Sequence, residues 1–171
     1  MRTDALEKDA MDLILALLTP TNCLVCEVAF CTGLRLTDVL SIKTEQLARS
    51  FTVQEQKTGK RKRVYLPKNV YEKCLEMCGK TYLFPNRLNG RKHRTRQAVW
   101  KDIKRVGEML KLKGNVAPHS LRKSYARSLH RKGWTDAQIQ KALNHSDVAV
   151  TLLYAYANEV GVNRCKNGIK H

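Results

Sequence analysis

The chain has 171 residues, 43% of them hydrophobic and 27% charged, which is enough to bury one substantial core and too few for two ordinary domains. Lys and Arg number 32 against 15 Asp and Glu, a formal net charge of +17; like charges repel in a compact chain, so this excess points to an acidic polymer as partner. Aromatic residues make up only 6%, which disfavours a single-strand binder built on stacking platforms and leaves duplex phosphate contact as the expectation.

Membrane and secreted classes fail early. The apolar stretch from Met11 to Leu18 contains Asp12 and is too short to span a bilayer. A secretory leader is positive before its apolar run, whereas Met1 to Asp12 sets Arg2 and Lys8 against Asp4, Glu7, Asp9 and Asp12. A cytoplasmic, DNA-associated location is expected, with no membrane partner. Six cysteines could form three bridges in a small secreted domain, but this aliphatic core needs no staples and they read as reduced thiols. Cys23, Cys26 and Cys31, with Cys74 and Cys78, fall inside helical patterns where their spacing means one helix face rather than a metal site.

In chain order, Leu6, Ala10, Leu13 and Leu17 recur at helical spacing, and a second helix runs from Asn22 to Thr32, closed by Gly33. A short helix is predicted from Thr37 as N-cap, with Asp38 in its first turn and Arg35 in the bend before it. Residues 50–56 and 61–66 alternate apolar and polar around Lys57-Thr58-Gly59-Lys60, which predicts a β-hairpin with a basic tip. Helices follow at about 69–78 and 95–112, with a short apolar strand or turn at 82–84 between them. After Pro118 three helical pieces are expected: one to about Lys132 with Leu121, Tyr125 and Leu129 in register, one at 136–144 after Thr135 as N-cap, and one from near Asp147. The expected fold class is mostly α with one small antiparallel β-sheet, in one continuous domain.

No carboxylate cluster suited to a metal and no phosphate-cradling glycine loop stands in the sequence, so metal-dependent nuclease and nucleotide-hydrolase readings lose support. What remains is a set of cations at element ends: Arg35, Lys57, His119, Arg122 and His145, followed by Tyr154. His119 and Arg122, three apart at a helix start, project from one face, and Arg presents a rigid fork that matches two phosphate oxygens. Taken singly, each has a bland reading as a cap, a core histidine or one surface cation among many; the argument rests on their conjunction.

That conjunction resembles the tyrosine site-specific recombinases, or phage integrases. Cys-Thr-Gly-Leu-Arg-Leu-Thr-Asp-Val-Leu (31–40) is similar to the family's first-arginine motif, Gln-Lys-Thr-Gly-Lys (56–60) to its hairpin lysine motif, and His-Ser-Leu-Arg (119–122) to its His-x-x-Arg motif. Leu-Asn-His-Ser-Asp (143–147), with Tyr154 nine residues after His145, is similar to the final block. The match covers roughly residues 5 to 157. It implies the family's catalytic-domain fold and a reaction in which Tyr154 attacks a scissile DNA phosphate, forming a 3′-phosphotyrosyl bond and releasing a 5′-hydroxyl. Arg35 and Arg122 would clamp the phosphate, Lys57 would protonate the leaving oxygen, His119 would be a base or a donor, and His145 would add to the field favouring the phenolate. Asp38 would orient an arginine as a support. No cofactor and no metal are implied. Lys60, Arg61, Arg94, Arg96, Gln97 and Lys101 are the DNA-contact candidates, with Arg96 and Gln97 nearest to base edges by resemblance. Tyr156 competes with Tyr154, but two helical residues differ by about 200° and only one can face the site.

The chain also departs from the family. Most relatives carry a further helical domain before the catalytic one; here the first-arginine motif begins at residue 31, so the domain reading is a catalytic domain at 1–157 without that N-terminal partner, and a tail at 158–171 of the kind relatives pass to a neighbouring protomer. A catalytic-only protein and a fragment of something longer both fit. Asn144 stands where the family usually has Gly. Weak or no association in solution and tetramers on double-stranded DNA are expected. Competing readings are a type IB topoisomerase, a DNA-binding regulator that keeps the fold without the reaction, and a basic RNA-binding protein.

Overall fold

The computed structural model describes residues 6, 8–112 and 116–144. Its elements are α1 (Lys8–Leu17), α2 (Pro20–Thr32), α3 (Leu36–Leu40), β1 (Ser50–Gln54), β2 (Arg61–Tyr65), α4 (Lys68–Met77), α5 (Arg96–Met109), α6 (Pro118–Arg131) and α7 (Asp136–Leu143), with a single 3₁₀ turn at Thr44–Gln46. The two strands pair antiparallel, Ser50 opposite Tyr65 and Gln54 opposite Arg61. The mostly helical class with one small sheet is therefore observed.

Helix α2 is the centre of the domain. Leu24, Val25, Cys26, Val28 and Ala29 are all buried on it, a wider apolar surface than a helix with one covered face needs. Helices α1, α3, α4, α5 and α6 and strand β2 all pack against it. Pro20 opens α2, where a missing N–H costs nothing, and Gly33 closes it at φ 64°. Just beyond its N-terminus lies the buried Asp102 of α5, whose Oδ2 accepts from Thr19 N at 3.0 Å, Thr19 Oγ1 at 2.8 Å and Asn22 Nδ2 at 2.7 Å. An anion at this positive helix end is favourable. Burial alone would raise this carboxyl, but the donors from Asn22, Arg105 and Thr19 outweigh it and hold the pKa at about 2. A smaller core of Ala126, Leu129, Ile139 and Leu143 joins α6 to α7.

The structure corrects two local expectations. On α1 the core-facing residues are Met11 and Ile14, followed by Leu18, whereas Leu13 and Leu17 are exposed; the stripe is rotated because α1 must address α2 and α5 together. Helix α3 starts at Leu36 with Arg35, not Thr37, as its N-cap. The Arg35 carbonyl accepts from the amides of Asp38 and Val39 at 2.9 and 3.0 Å, so the backbone turn is set by residue 35 and Thr37 lies inside the helix. Thr135 does cap α7, accepting from Gln138 N at 3.3 Å. The helix expected from near Asp147 lies outside the described residues. The five described cysteines, Cys23, Cys26, Cys31, Cys74 and Cys78, are free thiols, and burial pushes Cys31 and Cys74 up to about 12.

Candidate active site

Three separate elements deliver the predicted cations to one place. Gly33 turns the chain out of α2 in the left-handed region, which puts Arg35 at the head of α3. Arg122, on the second turn of α6, is 3% exposed and donates through Nη1 to the Gly33 carbonyl at 2.7 Å. Its Nη2 donates to the carbonyl of Leu143, the last residue of α7, where unpaired carbonyls carry partial negative charge. One guanidinium thus ties the end of α2 to the end of α7. Asn144 follows at φ 52°, a left-handed position that Gly or Asn accepts readily, which accounts for Asn where the family usually has Gly.

Beneath the two arginines lies a carboxylate that sequence reasoning passed over. Glu55 is fully buried; its Oε2 is 2.9 Å from Arg35 Nη1 and its Oε1 is 3.9 Å from Arg122 Nη1. Thr58 Oγ1 donates to the same Oε2 at 2.7 Å. Burial works to raise the Glu55 carboxyl, but the Thr58 hydrogen bond and the charges of Arg35 and Arg122 leave it below the ordinary value. Its signal in the sequence was a charged residue two places before Lys57, at the end of an alternating strand.

Asp38 is also fully buried. Its Oδ1 accepts from the amide of Gln56 at 2.9 Å, and burial, with Glu55 adding to it, raises its carboxyl above the usual range. Asp38 therefore supports the hairpin turn, while the acid paired with Arg35 is Glu55. Lys57 stands exposed on that turn, which is closed by Glu55 N donating to Lys60 O at 2.9 Å and Gly59 N to Glu55 O at 2.8 Å. Gly59, at φ 66°, supplies the left-handed residue. Lys60 and Arg61 are exposed beside it.

A second lysine was missed. Lys62 occupies an inward position of β2 between the inward-facing strand residues, 8% exposed, with Nζ donating to the Thr32 carbonyl at 2.7 Å and lying 5.8 Å from the centre of the Tyr125 ring. Burial first and the nearby Arg122 second lower its pKa to about 7. Its strand reads Arg61-Lys62-Arg63-Val64-Tyr65, and the inward register of Lys62 with Val64 was the available clue.

His119, one residue into α6, is near enough to these arginines to feel their charge. Burial, then the charges of Arg96, Arg122, Arg35 and Lys123, depress its pKa, which favours the neutral imidazole that can accept a proton. Among the DNA-contact candidates, Arg96, Gln97 and Lys101 are exposed on α5, and Arg96 is close enough to bias His119. Arg94 differs: its Nε donates to Asn22 Oδ1 at 2.6 Å, so it braces the Asn22–Asp102 network as well as edging the basic surface. Arg35, Arg122 and, through Thr58, the turn that carries Lys57 thus meet at one carboxylate, with Asp38 bonded to the same turn. His145 and Tyr154 lie outside the described residues.

The phage integrase family model matches residues 4–160. The chain belongs to that family, and its fold is that of the tyrosine recombinase catalytic domain. It is similar to tyrosine recombinase XerD of Staphylococcus haemolyticus, 30% identical over 156 residues that cover 84% of this chain and 52% of the relative. Against XerD of Staphylococcus aureus strain Mu50 it is 36% identical over 73 residues, 43% of this chain and 25% of the relative. Among solved structures, XerA recombinase superposes with a TM-score of 0.76 at 19% identity, covering 98% of this chain and 65% of that one. A lambda integrase dimer bound to a COC′ core site gives 0.76 at 22% identity over 91% of this chain and 60% of that one. XerH bound to its difH substrate in a pre-cleavage complex gives 0.74 at 17% identity over 97% and 54%. The chain spans about half the length of the Staphylococcus haemolyticus XerD.

Proposed function

We propose that the chain is the catalytic part of a site-specific DNA recombinase, cleaving and rejoining duplex DNA through a 3′-phosphotyrosyl intermediate. The observation that carries this reading is the convergence of Arg35 at the head of α3, Arg122 from α6 and the Lys57 turn of the hairpin on the buried carboxylate of Glu55. Such a convergence is what a phosphate clamp with an adjacent proton donor requires, and the sequence match to the family extends through Tyr154.

In the proposed step, the Tyr154 phenolic oxygen forms a bond to the scissile phosphorus and the bond to the 5′-oxygen breaks. A phenol of ordinary pKa, about 10, is a weak nucleophile at neutral pH, and in the proposed step the cations of the site would favour its deprotonation. His119, held neutral, is suited to take that proton or to donate to a phosphate oxygen. Arg35 and Arg122 stabilise the charge that builds on the non-bridging oxygens, where fixed donors in a water-poor site are each worth a few kcal/mol. Lys57 donates the proton that leaves with the 5′-hydroxyl. Rejoining is the reverse, with a 5′-hydroxyl attacking the phosphotyrosine, so phosphodiester energy is retained in the covalent bond. The positive charge the step needs is present in these side chains, so cleavage is expected to persist in chelator.

The test is covalent trapping. The protein is incubated in chelator with nicked duplexes tiled from its own genomic neighbourhood, denatured in detergent and examined for a DNA-linked band, with Tyr154→Phe alongside. A band that is lost in Tyr154→Phe and maps to Tyr154 is the expected result. An adduct on Tyr156 would keep the chemistry and move the nucleophile, cleavage without choice of sequence would favour the topoisomerase reading, and tight binding with no adduct would favour the regulator.

A further inference from the structure

The buried acid at the centre of the site has no part in the chemistry just described. Glu55 is fully shielded from solvent, so it sits behind the arginines rather than on the open face where a phosphate would arrive. One of its oxygens takes both the Arg35 guanidinium at 2.9 Å and the Thr58 hydroxyl at 2.7 Å. The other faces Arg122 at 3.9 Å. Thr58 is the residue next to Lys57, and Gln56 on its other side is fixed through its amide to Asp38. The carboxylate therefore touches both halves of the reaction machinery, the clamp and the turn that carries the proton donor.

We propose that Glu55 is a positioning residue that sets the distance between the arginine clamp and the Lys57 turn. This rests on the recombinase reading above. Two guanidinium groups repel one another, and a shared anion behind them holds both forward without occupying the phosphate's place. The Thr58 hydroxyl anchors the turn to the same anion, so that the ammonium group of Lys57 meets the leaving oxygen of whichever phosphate the clamp holds. A misplacement on the order of 1 Å in such an arrangement can cost about 100-fold in rate.

The two links are separable by experiment. Thr58→Val breaks the link to the turn, along with the 3.4 Å bond that the same hydroxyl accepts from the Lys60 amide inside the turn, and leaves the arginine pairing in place; Glu55→Gln, of the same shape without the charge, weakens both. Each is compared with the parent chain in single-turnover adduct formation on the duplex captured by trapping, made once with the ordinary 5′-oxygen and once with a bridging 5′-sulfur, which leaves without a proton. Duplex affinity is measured in parallel.

Thr58→Val is expected to slow the oxygen substrate by roughly tenfold while leaving the sulfur substrate at the parent rate, because only proton donation is disturbed. Glu55→Gln is expected to slow both substrates, by on the order of 100-fold for the oxygen substrate, with duplex affinity within about threefold of the parent. Equal losses on oxygen and sulfur for Thr58→Val, parent rates for Glu55→Gln, or a loss of affinity that matches its loss of rate would each overturn the proposal. If Glu55→Gln does not fold, judged by its melting transition, the exposed Thr58→Val substitution decides the matter. A parent chain that forms no adduct overturns the recombinase reading, and the inference falls with it; an active parent with unaffected variants overturns the inference alone.

Discussion

Gly33 shows how much one residue carries in this domain. It ends α2 at φ 64°, and a Cβ there would lie 2.4 Å from Cδ1 and Cε1 of Tyr125. Its carbonyl is the acceptor for Arg122 at 2.7 Å. A side chain at this position meets backbone strain of about 1–2 kcal/mol and must also displace a packed ring. Gly33→Ala is expected to lower unfolding free energy by about 2–4 kcal/mol in a urea titration. It should also slow adduct formation more than Asn144→Gly does, since it shifts the acceptor of a clamp arginine. The need for glycine after α2 was legible in the sequence as a helix terminator; the contact with Tyr125, about ninety positions along, was not, because nothing local encodes the approach of α6. The same holds for Glu55, which looks like an ordinary charged strand end until α3 and α6 are placed beside it.

Among the elements, the hairpin was read almost to the residue from its alternation, and so was the α7 cap. The reading failed where a polar residue occupies an inward register. Lys62 follows the strand's period and is buried for that reason, with the Thr32 carbonyl and the Tyr125 ring to receive it. Burial has a pH consequence. The folded chain releases the Lys62 proton at about 7, whereas the unfolded chain holds it up to the ordinary lysine value of 10.5. Between those limits the unfolded state binds more protons, so this group makes stability rise with pH, and below about 7 its full penalty applies. Lys62→Met is therefore expected to flatten the rise in denaturant midpoint between neutral pH and the ordinary lysine range, relative to the parent. The raised thiols act in the opposite sense at alkaline pH but equally in both chains, so the difference isolates Lys62. Parallel curves would mean that it stays charged throughout.

For the molecule as a whole, the net charge of +17 and the exposed Arg96, Gln97 and Lys101 on α5, with Lys60 and Arg61 beside the hairpin turn, make a basic surface around the candidate site. With duplex DNA as the proposed partner, such a surface would bind largely by releasing counterions, and affinity should fall steeply with salt. We propose that the chain is monomeric or weakly associated alone and assembles as a tetramer on its DNA site. Sedimentation velocity with and without a duplex captured by trapping checks this, and a stable tetramer in the absence of DNA would contradict it. Among the described residues, no helix is long and apolar enough to cross a membrane.

The sequence by itself determined the helical class, the hairpin, the helix ends at Gly33 and Thr135, the likeness to the phage integrase family and which arginines are the candidates for the proposed clamp. These are properties of local spacing and capping, which depend on residues a few positions apart. The tertiary structure alone decided which acid pairs with Arg35, why Asp38 braces the turn instead, where Lys62 points and which face of α1 is covered. Each of those depends on elements distant in the chain meeting in space, and burial converts an ordinary charge into one that must find its partner there.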